Sequence, residues 1–328
     1  MRTLRSQAGQ LIRSALVTSG VQLWRERRSP PVVIVYHGVN RDSSQPTGHG
    51  FIDRQTFEQH VRFLQRRRKI VSPRFVADCV RQGARIDRRW VAITFDDAFR
   101  DTALIVAEIM SAHDAPWMLN VPAGLLDTGR TLWPEELRIA ARYFANELTA
   151  SVAACAGLLS VDLGRHGVAG LIAYLLRSGE VLRRELFVQL ESRLDADHWR
   201  ETLNADARHR LLSGTELRQL AASGIEIGAH GYDHEALSDN LSATALKREV
   251  VDSRATLEAL TGHAVRAFAF PFGIQSTAAR QAVEKAGYSF ALTSEHRGVT
   301  PETTAFTYLP RVLGEWPLTQ LRFVLAKP

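Results

Sequence analysis

Cysteine is nearly missing from this 328-residue chain: Cys79 and Cys155 are the only two. Neither lies in a CxxC or Cys/His spacing, which excludes a disulfide framework and a cysteine-built metal site. Both fall in stretches that read as helix, as small buried hydrophobes. Long apolar runs are missing as well. The longest uncharged ones, such as Leu148 to Val161, fall short of the roughly 18–20 residues that cross a bilayer, so no transmembrane helix is expected. Arg13 interrupts the apolar stretch near the N-terminus, and no small-residue cleavage site follows it. The sequence therefore predicts no cleaved signal peptide and a cytoplasmic, at most membrane-peripheral, protein. Charge of one sign is in only mild excess, with 41 Lys plus Arg against 35 Asp plus Glu and a net charge of +6. That balance suits an anionic surface, nucleic acid or a phosphate-bearing substrate without selecting among them; no nucleic-acid partner is expected. Repeats and low-complexity segments are absent, and nothing fixes an oligomeric state.

What is present is ample apolar material, 45% of residues, enough for one large α/β barrel. Residues 1–28 carry six arginines and place Leu4, Leu11, Ile12, Leu16 and Leu23 on a rough helical stripe, predicting a basic amphipathic helix. Such a helix either lies on anionic membrane or packs against the rest of the chain. Ser29-Pro30-Pro31 ends it. Val32 to Tyr36, Trp90 to Phe95, Trp117 to Val121, Ile225 to Gly228, Ala267 to Phe270 and Phe290 to Thr293 then read as strands buried on both faces. Amphipathic helical stretches alternate with them, at Phe57 to Arg68, Val76 to Gly83, Ala103 to His113, Gly214 to Ser223, Ser242 to Thr261 and Thr277 to Ala286. Strict alternation with short connections implies a parallel sheet, and the expected fold is a distorted (β/α) barrel of about seven strands. An Ala- and Leu-rich stretch at about 135–212 has no comparable strand signal and reads as a helical insertion on the barrel rim of residues 29–328.

Three motifs sit at the carboxyl ends of predicted strands, where barrel enzymes place their chemistry. Asp96-Asp97 follows an apolar strand, and two adjacent buried acids repel unless a cation or proton compensates; alternatively the pair caps a helix. His230 and His234, four apart after a β-branched strand, can converge on one Zn²⁺, Co²⁺ or Ni²⁺ ion, or serve as surface and capping histidines. Phe268-Ala269-Phe270-Pro271-Phe272-Gly273 ends in a Pro/Gly turn, readable as core and turn or as a substrate floor with a backbone N–H aimed at an oxyanion.

Together with Leu309-Pro310-Arg311, these pieces resemble the polysaccharide deacetylases, the NodB-homology or carbohydrate esterase family 4 enzymes. The resemblance runs from about Val32 to Arg311. It implies a divalent metal, Zn²⁺ first, held by Asp97, His230 and His234, with Asp96 as catalytic base and Phe272 and Tyr232 at the substrate and oxyanion. Tyr36-His37-Gly38 resembles a subgroup whose acid histidine ends the first strand, which makes His37 the candidate acid; the bland alternative is a structural histidine in the barrel mouth. Ala98 stands where the family commonly has Gly, Gly231 where it has Ser or Thr, and Ala269 where many members carry an arginine that steadies the base. Arg311 is the preferred substitute for that arginine, over Arg266. The implied activity is removal of N-acetyl groups from an amino-sugar glycan, glycan precursor or lipid-linked sugar. Deformylation or other amide hydrolysis on a lipid-linked amino sugar, and a non-catalytic glycan-binding module, are the alternatives.

Overall fold

A computed structural model describes residues 29–41, 50–155, 159, 161, 163–300 and 306–325. The helix expected over residues 1–28 lies outside them. Seven strands form the barrel: β1 (Val32–Tyr36), β2 (Trp90–Phe95), β3 (Met118–Val121), β4 (Glu226–Ala229), β5 (Ala267–Ala269), β6 (Phe290–Thr293) and β7 (Thr307–Leu313). All pair in parallel, in the order β1-β7-β6-β5-β4-β3-β2, and β2 returns to β1 with Val35 opposite Thr94, closing the cylinder. A short strand, Lys69–Ile70, adds to β2, and Gly38–Asn40 pairs with Phe51–Asp53 in a separate small sheet.

The strands are apolar throughout because both faces are covered. Val33, Ala92, Met118, Ala267, Phe290 and Leu309 belong to one buried cluster, inside the barrel. Their neighbours in sequence, Ile34, Tyr36, Ile93 and Phe95, pack outward on α1 (Arg54–Arg67) and α3 (Arg100–Ala112) through Phe57, Val61, Leu64 and Ile105. Each such fully buried side chain stabilises the fold by roughly 1.5–3 kcal/mol. Helix starts follow local chemistry: Ser72 caps α2 (Pro73–Arg81), which has proline in its first turn, and Asp53 caps α1.

Between β3 and β4 the chain is helical, as α4 (Trp133–Tyr143), α5 (Ala145–Ala154), α6 (Leu163–Ser178), α7 (Glu180–Glu191) and α8 (Ala196–Ala205). These pack on each other around Leu137, Leu148, Leu171, Leu186, Leu190 and Trp199, an apolar cluster distinct from the barrel's. The chain re-enters the barrel through α9 (Gly214–Ala222), which opens with a reciprocal capping box between Ser213 and Glu216.

Two elements depart from the sequence reading. The helix expected to run unbroken from Ser242 to Thr261 is α10 (Ala243–Lys247), a π turn at Arg248–Asp252, and α11 (Ser253–Thr261). β7 was not legible as a strand, because Pro310 cannot donate to a ladder. It forms because Thr307 to Pro310 pair with β6 and Arg311 to Leu313 pair with β1, and closing the barrel outweighs one missing donor. Helices α12 (Thr277–Lys285) and α13 (Leu318–Leu325) complete the outer layer.

Candidate active site

Side chains from the carboxyl ends of the barrel strands converge on one cleft of about 470 Å³. Asp96 and Asp97 follow β2 directly, and their side chains part company because Asp97 and Ala98 turn into the left-handed region at φ 74° and 57°. Asp96 points back into the barrel mouth. Its two carboxylate oxygens accept from Arg311 Nη1 and Nη2 at 2.7 and 2.8 Å, and Asn120 Nδ2 donates to Oδ1 at 2.7 Å. Arg311 is 1% exposed, the largest fully buried side chain in the described residues. Burial opposes ionisation of Asp96, yet Arg311 and then His230 hold its carboxyl at about 2. The guanidinium thus reaches the acid from β7 and not from the strand that carries Ala269. Asn120 escaped sequence reading, although a lone amide inside the apolar Met118-Leu119-Asn120-Val121 was its signal. Gly228 on the neighbouring strand makes room for it, since a Cβ there would lie 2.2 Å from Asn120 Oδ1.

Asp97 turns the other way, to the two histidines. His230 Nε2 and His234 Nε2 lie 3.5 and 3.3 Å from Asp97 Oδ1, and ligand atoms of all three residues fall within 4.8 Å of one another. His230 Nδ1 donates to the Ala269 carbonyl at 2.8 Å, which commits that ring's one neutral-state proton and leaves the Nε2 lone pair facing the carboxylate. Two lone pairs at such a separation repel unless a cation or a proton lies between them. Although burial pushes the other way, the two histidines hold the Asp97 carboxyl well below the usual range. Burial lowers the pKa of His234, keeping its ring neutral and able to ligate. Two imidazoles, one carboxylate and full burial suit a transition-type divalent ion.

His37 sits across the cleft, just past β1. Its backbone N–H and its Nδ1 both donate to Glu315 Oε1, at 2.6 and 2.5 Å, so the ring presents Nε2 to the cleft. About a third of the side chain, 35%, stays accessible while Glu315 is 6% exposed. Burial alone would lower the imidazole's pKa, but Glu315, helped by Asp97 and Asp96, raises it to about 10. Glu315 was not found from sequence: it lies 278 residues from His37, and an acid in a Gly-Glu-Trp-Pro turn carries no pattern.

Phe272, at φ 57°, lines the cleft and sets its ring against His234, centroids 4.6 Å apart. Tyr232 is the exception among the expected site residues. Its ring is taken by Gly124, where a Cβ would meet it at 2.1 Å, and by Arg248, 4.5 Å above its centroid. It does not line the cleft, so substrate contact through its side chain is not what the structure shows. His296 and Ser294 line the cleft instead, unannounced by any motif. Of the seven described non-glycine residues with positive φ, five (Asp97, Ala98, His234, Phe272 and His296) belong to or adjoin this site, the clustering expected where backbone strain serves function.

Gly231 also lies in the left-handed region, at φ 79°, and a Cβ on it would stand 2.3 Å from Glu249 Oε2. A serine or threonine has no room here. Gly231→Ala is expected to destabilise by at least about 1–2 kcal/mol through its backbone conformation alone, read as a lower urea midpoint; an unchanged midpoint would show that the loop yields.

The helical region supplies a wall and a fastening. Leu132, Pro134, Ile172 and Leu176 line the cleft. Trp133 Nε1 donates to the His234 carbonyl at 3.3 Å, and Arg183 of α7 pairs with the buried Glu235 carboxylate.

The polysaccharide deacetylase family profile matches residues 190–291, the stretch holding β4 and both histidines. No curated protein matches at the sequence level. Among solved structures the chain is similar to IcaB from Ammonifex degensii, 16% identical, covering 92% of this chain and 99% of that one with a TM-score of 0.58. It is also similar to the Streptococcus pyogenes deacetylase PplD in complex with acetate, at 15% identity, 90% and 98% coverage and a TM-score of 0.57. A de-N-acetylase from Aggregatibacter actinomycetemcomitans is 14% identical, with 86% and 94% coverage and a TM-score of 0.54. The fold, seven parallel strands closed into a (β/α) barrel, is the one these solved structures share, and residues 190–291 match the polysaccharide deacetylase family model.

Proposed function

We propose that the protein removes N-acetyl groups from an amino-sugar residue of a glycan or glycan precursor, with a divalent ion, Zn²⁺ first, held by Asp97, His230 and His234. The observation that carries this reading is the division of labour between two adjacent acids. Asp97 Oδ1 faces two imidazole nitrogens at 3.5 and 3.3 Å, while Asp96 is clamped by Arg311 through both oxygens and stands farther off, 3.8 Å from His230 Nε2. When bound, the ion supplies a Lewis acid for the acyl oxygen.

The chain's own groups do the rest. Asp96, held ionised by Arg311, takes the proton of the attacking water. The Arg311 and Asn120 hydrogen bonds fix the orientation of that carboxylate, so one geometry is ready for the transfer. His37, kept charged by Glu315, gives its proton to the departing nitrogen, without which an amine is a poor leaving group. Phe272 lines the cleft, and its backbone N–H is the assigned donor to the developing oxyanion. An apolar wall of Leu132, Ile172 and Leu176 favours nascent or lipid-linked glycans within this class, with the protein working at the cytoplasmic side of a membrane.

Purified protein, with and without chelator, is to be assayed for amine release from N-acetylated oligosaccharides and lipid-linked N-acetyl sugars. Hydrolysis should disappear on chelation and return with Zn²⁺ or Co²⁺, and His234→Ala should lose both ion and turnover, because one of three protein ligands is gone. Full metal content in His234→Ala, by elemental analysis, would overturn the ligand assignment. Chelator-resistant hydrolysis would overturn the metal dependence.

A further inference from the structure

The two histidines stand on a loop, residues 230–235, that has almost no regular structure of its own. It kinks into the left-handed region twice, at Gly231 (φ 79°) and at His234 (φ 59°), a conformation uncommon for any residue but glycine. Three of its backbone N–H groups turn away from the cleft, toward the helix that carries Glu249.

They turn onto a single carboxylate. Tyr232 N–H and Glu235 N–H donate to Glu249 Oε2 at 2.9 and 3.2 Å, and Asp233 N–H donates to Glu249 Oε1 at 2.9 Å. Glu249 is 1% exposed. A fully buried acid that accepts three backbone donors from one loop acts as the core around which that loop is wound. Gly231 completes the fit, since any Cβ would strike the same oxygen.

The helix that carries Glu249 is deformed where it does so. The π turn Arg248–Asp252 begins one residue before Glu249 and separates α10 from α11. Ser253 Oγ donates to the Glu249 carbonyl at 2.6 Å, and Tyr288 Oη to the Val250 carbonyl at 2.8 Å, so acceptors loosened by the wider turn find new donors. Such single-turn bulges concentrate at functional sites. Arg248, at the start of the turn, reinforces the hold by pairing with Asp233 at 3.1 Å and covering the Tyr232 ring.

We propose that Glu249 is the positioning residue of the metal centre: its carboxylate winds the 230–235 loop so that His230 and His234 face Asp97 together. It touches neither substrate nor ligand nitrogen and acts only through the backbone. The proposal rests on the assignment of Asp97, His230 and His234 as ligands, and its test separates the two.

Hydrogen exchange is to be followed by mass spectrometry on the peptide spanning 229–237 in metal-free wild type, Glu249→Ala and the near-isosteric Glu249→Gln. Zn²⁺ and Co²⁺ affinity is then measured by chelator competition, with the Co²⁺ absorption bands recorded. In Glu249→Ala the peptide should exchange faster while the barrel strands keep their protection, affinity should fall roughly 10–100-fold, and the Co²⁺ bands should shift. Glu249→Gln, which keeps one acceptor oxygen, should lie between that variant and wild type. If Glu249→Ala does not fold, the same readouts on Glu249→Gln decide. Unchanged exchange would overturn the winding role. Faster exchange with wild-type affinity and unshifted bands would reduce Glu249 to a merely structural residue and overturn the positioning role. A wild type that binds neither ion would reject the ligand assignment and, with it, a metal-positioning role, while the exchange comparison still reads whether Glu249 holds the loop.

Discussion

Asp96→Asn is expected to keep the divalent ion and to lower turnover on an N-acetylated amino sugar by roughly 10²–10⁴-fold, because an amide cannot accept the water's proton. The fold exacts a second effect that the sequence did not foreshadow. Arg311 is 1% exposed and bonded to both Asp96 oxygens, so the amide leaves a guanidinium buried without its counter-charge. Breaking a buried pair in this way costs about 3–5 kcal/mol, and urea unfolding of Asp96→Asn should show a loss of that order. Arg311→Met strands the carboxylate instead and should raise the pKa of Asp96, moving the acid-side loss of activity to higher pH. In the wild type the Asp96 carboxyl is held at about 2, below its ordinary 3.8, so the pair's stabilisation is complete above 3.8 and fades as pH falls towards 2. Near-normal turnover in Asp96→Asn would show that Asp96 is structural. An unchanged urea midpoint would show that water reaches Arg311.

His37→Ala is the second large effect. The variant should keep its ion and lose roughly 10²–10⁴ in turnover on amides, the usual contribution of a positioned acid. On an activated aryl acetate the loss should be smaller, since that leaving group departs unprotonated. Equal losses on amide and ester, or loss of the ion, would mean that His37 orders the cleft. The pH profile adds a sharper sign. His37 is lifted to about 10 chiefly because Glu315 outweighs its burial, so Glu315→Gln should bring the alkaline limb of activity down in pH. With a folded pKa above its ordinary 6.5, His37 contributes stability that is full below 6.5 and lost as pH rises through about 10. His296→Ala, which removes the remaining histidine that lines the cleft, should leave the amide-to-ester ratio as it was.

Much of this protein was legible before folding. Regular alternation of β-branched runs with amphipathic stretches implied the parallel barrel, because strands covered on both faces must be apolar throughout and helices covered on one must not. Adjacent acids at one strand end and histidines four apart at another marked the cleft, since chemistry that is local in sequence leaves a local pattern. β7 stayed hidden behind Pro310, whose missing donor is tolerated only because Val33 to Val35 and the β6 ladder lie on either side of the strand. The π turn at Arg248–Asp252 was equally silent, as Ser242 to Thr261 keeps a helical composition throughout.

The sequence by itself determined most of the elements and the reactive groups of the three motifs, because backbone preference and side-chain chemistry belong to single residues and short spacings. Tertiary structure decided how those groups are tuned, and of the tuning residues the family resemblance had named only Arg311. Arg311 lies 215 residues from Asp96, Glu315 lies 278 from His37, and Glu249 meets the histidine loop across 14 to 17 residues and a deformed helix. Tyr232, placed at the substrate by the family resemblance, has its ring packed against Gly124 and Arg248 instead. Charge, burial and orientation depend on distances between atoms, and those distances come into being only when the barrel closes.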